Sequence, residues 1–291
     1  MLGYRETMKA PTGPLSSASM RLPPQGEEAL WRELRQFPGV LVAFSGGVDS
    51  SFLLAAALDA LGPDRVRAVM GVSASVPKVQ KEQAAGVAAV LGIAVEYIAT
   101  HETENAAYQA NEGDRCFWCK DTLYTVLRGI ELGSGWQIVD GTNVDDLAGH
   151  RPGHAAAVAL GVRSPLVDAD LKKVEIRALS RSRQLVTADL PSSPCLASRF
   201  PAGTRVTVEG LHRIEAAEEV LRSFGFRGFR VRDHGEIARL EMQADDIATL
   251  AAPGTRTRVS SALRALGYRW VGVDLDGYQH GSGSLPASLD V

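Results

Sequence analysis

The segment FSGGVDSS, residues 44–51, follows directly on the apolar run VLVA at positions 40–43. A glycine pair between a strand end and a helix start lets the backbone turn tightly and aims several N–H groups outward. The partial positive charge of a helix N-terminus adds to them, so an anion is favoured there. Ser45, Ser50 and Ser51 contribute hydroxyls. The GxxxxGK[ST] pattern that steadies a γ-phosphate is absent, and its lysine with it. A chance turn before a helix would explain a lone Gly-Gly, but it explains SGGVDSS between strand and helix poorly. The second chemical group is sulfur: Cys116 and Cys119 in RCFWCK, and Cys195 in SSPCLASRF. Three cysteines are few and odd in number for a disulfide framework, so they read as thiols free for metal or sulfur chemistry. A CxxC pair suits zinc or redox work as well as iron. Three cysteines with a histidine could hold zinc, and unconnected buried thiols are the bland alternative. The histidines show no metal spacing such as HExxH, and His150, His154 and His234 read as surface or supporting groups.

These groups need a scaffold, and the pattern supplies one. VLVAFS reads as a buried strand, residues 50–61 as a helix, RVRAVMG as a second strand, residues 78–91 as a helix and AVEYIAT as a third strand. Residues 121–132 read as a helix and WQIVDGTN as a fourth strand ending in a loop. Alternation of this kind implies an α/β fold, a parallel sheet with helices on both faces. Open sheets of that class bind ligands beyond the carboxyl ends of their strands. Thr142, Asn143 and Asp146 in DGTNVDD are therefore candidates for ATP or Mg²⁺ contact, with an ordinary Asx turn as the alternative, and Arg151 in HRPG is set toward the same cleft. Past Arg199 the rhythm changes: a helix over 209–224, short strands FRVRD and IARLEM, a helix ending near Leu266 and a strand WVGVDL. That order predicts a small α+β unit of ferredoxin-like type. Arg230 and Arg232 alternate along FRVRD and so share one face, as they would on a solvated surface strand. The expected division is a disordered leader over 1–26, with a functional start near Met20, a nucleotide domain over 27–200, a small α+β domain over 201–278 and a flexible tail over 279–291.

Composition narrows the function classes. The chain has 291 residues, 45% of them hydrophobic, enough for a full core. A net charge of −3 gives no global basic field for nucleic acid. No apolar run is long enough for a bilayer, and the N-terminus lacks a signal-peptide pattern, so a cytoplasmic protein is expected.

SGGVDS resembles the loop of the ATP pyrophosphatases, which include GMP, NAD and asparagine synthetases and tRNA thiolation enzymes. The resemblance implies cleavage between the α- and β-phosphates, giving a substrate adenylate and pyrophosphate. It places Ser45, Gly46, Gly47, Val48, Asp49, Ser50 and Ser51 on the pyrophosphate, Asp49 on Mg²⁺, and Gly71 and Ser73 of MGVSAS on adenosine. PCLASRFPAGTRVT, over 194–207, resembles the matching segment of the LarE family of sulfur transferases. DGTNVDD, RPG, FRVRDHGEIARLE and LGYRWVGVDLDGY extend that resemblance over most of residues 39–278. It implies conversion of a carboxylate of pyridinium-3,5-biscarboxylic acid mononucleotide into a thiocarboxylate, twice per cofactor precursor, and a homo-oligomer such as the hexamers of relatives. In single-cysteine members the residue matching Cys195 gives up its sulfur and becomes dehydroalanine. This chain departs from that pattern through Cys116 and Cys119. A three-cysteine type of the family holds a [4Fe-4S] cluster with one iron open, and this chain is expected to be of that type, on Cys116, Cys119 and Cys195. The substrate's phosphate needs a forked cation, and Arg199, four residues beyond Cys195, is placed to hold it close to the sulfur, with Ser198 adding a hydroxyl. Arg230 and Arg232 match positions that the family uses for that phosphate, and Glu218, on the preceding helix, is expected to orient an arginine. The rival readings are a tRNA thiolase, which wants a basic stripe or an RNA-binding extension, and a nucleotide sensor, which leaves the Cys195–Arg199 segment idle.

Overall fold

The computed structural model describes residues 25–148, 152–191 and 194–278. The leader before residue 25, the tail from 279, His150 and Arg151 lie outside these residues. Helix α1 (Gln25–Leu34) opens the described chain and was not expected from the pattern. Strands β1 (Val40–Ala43), β2 (Val66–Val72), β3 (Val95–Ala99) and β4 (Gln137–Val139) form one parallel sheet in the order β3-β2-β1-β4. Between them run α2 (Val48–Leu61), α3 (Lys78–Val90), the short α4 (Ala106–Ala110) and α5 (Arg115–Arg128).

Strand alternation sends successive side chains to opposite faces, and both faces are covered. Val40, Val42, Val66, Ala68 and Met70 pack under α1, α2 and α3. Leu41, Val69 and Ile138 pack under Tyr124 and Leu127 of α5 and Ala157 of α6 (Pro152–Ala159). Helix α2 is apolar nearly all round because it is buried nearly all round. After α6 come α7 (Pro165–Asp168) and α8 (Lys173–Ser182), with Ile176 and Leu179 of α8 joining the first face.

The C-terminal region comprises α9 (Val208–Ser223), β5 (Arg230–His234), β6 (Ile237–Glu241), α10 (Ala244–Ala251), α11 (Pro253–Ala265) and β7 (Trp270–Val273). The three strands form one mixed sheet in the order β5-β6-β7, with β5 antiparallel and β7 parallel to β6. The ferredoxin-like expectation fails here, because the parallel β6–β7 pair replaces an all-antiparallel four-stranded sheet among the described residues. This region has its own core of Leu221, Phe229, Val231, Leu240, Leu263 and their neighbours. A further cluster, Tyr108, Leu196, Phe200, Val206, Leu211 and Ile214, ties α4 and the cysteine loop to α9.

One boundary differs in a way that matters for the site. The helix expected over 121–132 begins at Arg115 and ends at Arg128, so Cys116 and Cys119 lie in its first turns rather than in a preceding loop. No helix among the described residues is long and apolar enough to cross a membrane.

Candidate functional site

The phosphate loop is held from behind. Gly46 has φ +72°, and a Cβ there would lie 2.8 Å from Ala84 of α3, so the turn excludes side chains on two counts. Gln80 donates to the Ser45 carbonyl at 3.0 Å and Gln83 to the Gly46 carbonyl at 2.6 Å. Those carbonyls are occupied on the α3 side, while the N–H groups of Ser45 and Gly47 donate to loop hydroxyls, Ser50 Oγ at 3.3 Å and Ser45 Oγ at 3.4 Å. Ser50 Oγ donates to the Gly47 carbonyl at 3.2 Å and lies 3.0 Å from Ser45 Oγ. Val48 and Ser51 are buried, so Ser51 Oγ, which has no hydrogen-bond partner, faces the interior rather than the cleft.

A pocket of about 180 Å³ opens in front of the loop, lined by Ser45, Gly47, Asp49, Gln80, Gln83 and Lys173. Lys173, the first residue of α8, forms an ion pair with Asp49 Oδ2, and Asn143 Nδ2 donates to Asp49 Oδ1 at 3.3 Å. The lysine missing from the loop's own sequence therefore reaches the pocket from the start of another helix. Burial holds the Asp49 carboxyl above its ordinary range; Lys173 opposes the shift and the charge of Asp146 adds to it. Asn143 also accepts from the N–H groups of Asp145 and Asp146, at 3.0 and 3.3 Å. Asp49, Asn143 and Asp146 are thus gathered. Thr142 turns elsewhere: its hydroxyl donates to Asp140 Oδ2 at 2.9 Å.

The end of β2 leads to sulfur. At Gly71 a Cβ would lie 2.6 Å from Leu123, so this glycine admits α5 against the strand. Ser73 donates to the buried Glu102, whose other carboxylate oxygen has no partner, and it accepts from the Ser75 N–H at 3.1 Å. Ser75 Oγ lies 2.5 Å from the hydroxyl of the wholly buried Tyr108, and its carbonyl accepts from Leu196 N–H at 2.9 Å. The strand end is thereby tied to the residue after Cys195. Cys116 is exposed, while Cys119 and Cys195 are partly buried, and no disulfide joins them. Burial pushes the Cys119 thiol up to about 12, with the negative charges of Cys195, Glu102 and Cys116 adding to the effect. The thiols therefore sit within one another's electrostatic reach. Among the described residues, no three His, Cys, Asp or Glu side chains converge closely enough to hold a metal ion.

The arginines are placed differently from one another. Arg199 is 2% exposed and pairs with Glu218 through Nε at 2.9 Å and Nη2 at 3.3 Å. Its Nη1 donates to the carbonyls of Pro194 and Cys195, at 2.7 and 3.0 Å, and to Ser198 Oγ at 3.0 Å. That guanidinium is engaged by the protein and fixes the cysteine loop, a correction to its expected role as an open phosphate ligand. Ser198 donates to the Cys195 carbonyl at 2.8 Å. Arg232 is bidentate to Glu241, at 2.9 and 2.8 Å, and reaches the Ser198 carbonyl at 2.6 Å. Arg230 stays partly exposed beside Tyr278, 4.9 Å from its ring centroid. Burial lowers its pKa, and the positive charges of Arg199 and Arg232 push in the same direction. Tyr278 and the charge of Glu218 oppose that shift, and Glu218 and Glu241 already pair with Arg199 and Arg232. Among the histidines, His234 is exposed at the end of β5, and His154 Nδ1 is buried without a partner.

Comparison with known proteins follows the same division. The family model for NAD synthase matches residues 32–123, the span that carries the loop and its flanking elements. An uncharacterized protein of Synechocystis sp. is 39% identical over 259 residues, 87% of this chain and 96% of that protein. The pyridinium-3,5-bisthiocarboxylic acid mononucleotide synthase of Lactiplantibacillus plantarum is 35% identical over 249 residues, 85% of this chain and 90% of its own length. With a phosphate loop, a thiol loop tied to the same sheet edge and similarity across nearly the whole of that synthase, the chain belongs to the LarE family of PP-loop proteins.

Proposed function

We propose that the protein is a sulfur transferase that activates a carboxylate of pyridinium-3,5-biscarboxylic acid mononucleotide with ATP, releasing pyrophosphate, and turns it into a thiocarboxylate. The observation that carries this reading is the Ser73–Ser75–Leu196 bridge, which ties the thiol loop to the strand end beside the phosphate loop. In this reading the loop N–H groups, the N-terminus of α2 and Lys173 hold the pyrophosphate end of ATP. Asp49 and Asp146 would hold Mg²⁺, which takes one or two carboxylates and completes its shell with phosphate oxygens and water. A bound Mg²⁺ supplies neutralisation of the phosphate charge. Making the adenylate gives the inert acid a leaving group that reduced sulfur can displace. Arg230, backed by Arg199 and Arg232, would draw the substrate's phosphate to the cysteine loop. Residues 27–200 then carry the nucleotide chemistry, and residues 201–278 the substrate phosphate and an oligomer surface, in a cytoplasmic enzyme.

Cys116, Cys119 and Cys195 would hold a [4Fe-4S] cluster through three thiolates, and such a cluster supplies an open iron for an extra sulfide. The fit lies in donor number and mutual charge. The absence of three converged donors among the described residues favours a second reading, in which Cys195 itself yields its sulfur. Protein purified without oxygen and supplied with ATP, Mg²⁺ and the pyridinium mononucleotide is expected to release AMP and pyrophosphate. Release of ADP and inorganic phosphate overturns the proposal. Iron and sulfide content separates the two sulfur sources, since sacrifice of Cys195 lowers the protein's mass by one H₂S. Cys195→Ala is expected to keep AMP formation and to stop sulfur delivery in either case.

A further inference from the structure

Lys120 follows Cys119 in α5, and neither the phosphate loop nor the arginine cluster uses it. Its stem runs beneath α6: a Cβ on Gly153 would lie 3.1 Å from Lys120 Cγ, so a glycine lets the two helices close over the lysine. Its ammonium stands 5.4 Å from the centroid of the Tyr124 ring. Tyr124 is wholly buried, and its hydroxyl donates to Asp140 Oδ2 at 2.7 Å.

Asp140 lies just past the end of β4 and is 4% exposed. Its Oδ1 accepts from Ser164 Oγ at 2.7 Å and Thr142 N–H at 3.2 Å, and its Oδ2 accepts from Tyr124 and Thr142. Neutral donors therefore occupy both oxygens. No carboxylate forms an ion pair with Lys120 among the described residues. A lysine side chain is ordinarily an ammonium at neutral pH. A fixed cation without a paired anion thus stands between the ligand-binding end of β4 and the Cys119 thiol.

We propose that Lys120 binds an α-phosphoryl oxygen of ATP and stabilises the charge that builds there as the substrate carboxylate attacks. In that step a carboxylate oxygen forms a bond to the α-phosphorus and the bond from the α-phosphorus to the bridging oxygen breaks. Pyrophosphate leaves with the electron pair, no proton moves, and Lys120 stays charged throughout. The inference rests on the ATP reading above and adds a residue to it.

The test uses the full-length protein and the variants Lys120→Gln and Lys120→Arg. Lys120→Gln is expected to slow pyrophosphate release at saturating ATP about 100-fold, the usual cost of removing one preorganised donor from a developing charge. Binding of AMP, measured by calorimetry, is expected to weaken at least about tenfold while binding of pyrophosphate alone stays unchanged. Lys120→Arg is expected to recover most of the AMP affinity. A lysine needed only for packing would instead leave AMP and pyrophosphate binding changed together or not at all, and either result overturns the proposal. If Lys120→Gln does not fold, Lys120→Met, of similar volume, is read in its place by the same two binding measurements. Wild-type protein releasing inorganic phosphate would sink the ATP reading itself. Wild-type release of pyrophosphate, with Lys120→Gln equally fast, would sink the Lys120 role alone.

Discussion

Arg199 and Cys119 show how far residue type alone misleads about access. An arginine four places after a cysteine reads as a phosphate ligand, yet Arg199 is the largest of the wholly buried side chains and grips the loop that carries Cys195. Arg230 keeps the exposure that a substrate phosphate would need. The cysteines are sorted in the same way. Thiol alkylation proceeds through the thiolate. A thiol at about 12 carries, at pH 8, a thiolate fraction on the order of a thousandfold below that of a free cysteine. Metal-free protein treated with iodoacetamide at pH 8 is therefore expected to lose the exposed Cys116 first and Cys119 last, read by peptide mass spectrometry. Iron bound by all three thiols would protect all three together. Rapid labelling of Cys119 in metal-free protein would contradict the burial that sets its pKa.

At the scale of elements, the parallel sheet was legible because buried strands and amphipathic helices leave periodic signals, and the phosphate loop because glycine and serine types carry its function locally. The start of α5 was not. RCFWC has no apolar period and few strong helix formers, and it is helical because Trp118 and Cys119 pack on the Leu196–Phe200 cluster. Lys173 was equally hidden, since it meets Asp49 across 124 positions of sequence. Helix α3 shows a third contact of that kind. Its first N–H, on Lys78, donates at 2.5 Å to Glu215 of α9, which caps the helix from outside where Pro77 offers no side-chain cap. The same helix carries Gln80 and Gln83, which hold the phosphate loop. Glu215→Ala is expected to cost about 1 kcal/mol, the usual worth of a helix cap, and to raise KM for ATP. Glu215→Gln keeps an accepting oxygen and is expected to restore most of both, as measured by urea unfolding and steady-state kinetics. Equal effects of the two substitutions would show that charge, not capping, is what α9 contributes.

For the molecule as a whole, the two main cores are separate, and what couples them decides whether they act together. The links converge on the cysteine loop: Arg199 to Glu218 of α9, Arg232 of β5 to the Ser198 carbonyl, and Phe200 packed with Leu211 and Ile214 of α9. The Arg199–Glu218 pair is the more buried of the two polar links, at 2% and 5% side-chain exposure. Removing one partner of such a pair leaves an uncompensated charge in the interior and costs about 3–5 kcal/mol. Glu218→Ala is accordingly expected to lower Tm by about 10 °C. Nucleotide affinity is expected to survive, because the phosphate loop is held by α3 and Lys173 rather than by α9's Glu218. Sulfur transfer is expected to fall further than AMP formation, since the guanidinium that positions the Cys195 carbonyl loses its anchor. Calorimetric unfolding together with AMP and thiocarboxylate yields from one preparation would read all three. A Glu218→Ala protein with unchanged Tm, or with AMP formation and sulfur transfer lowered by the same factor, would mean that the coupling between the two halves runs through the apolar cluster and not through the ion pair.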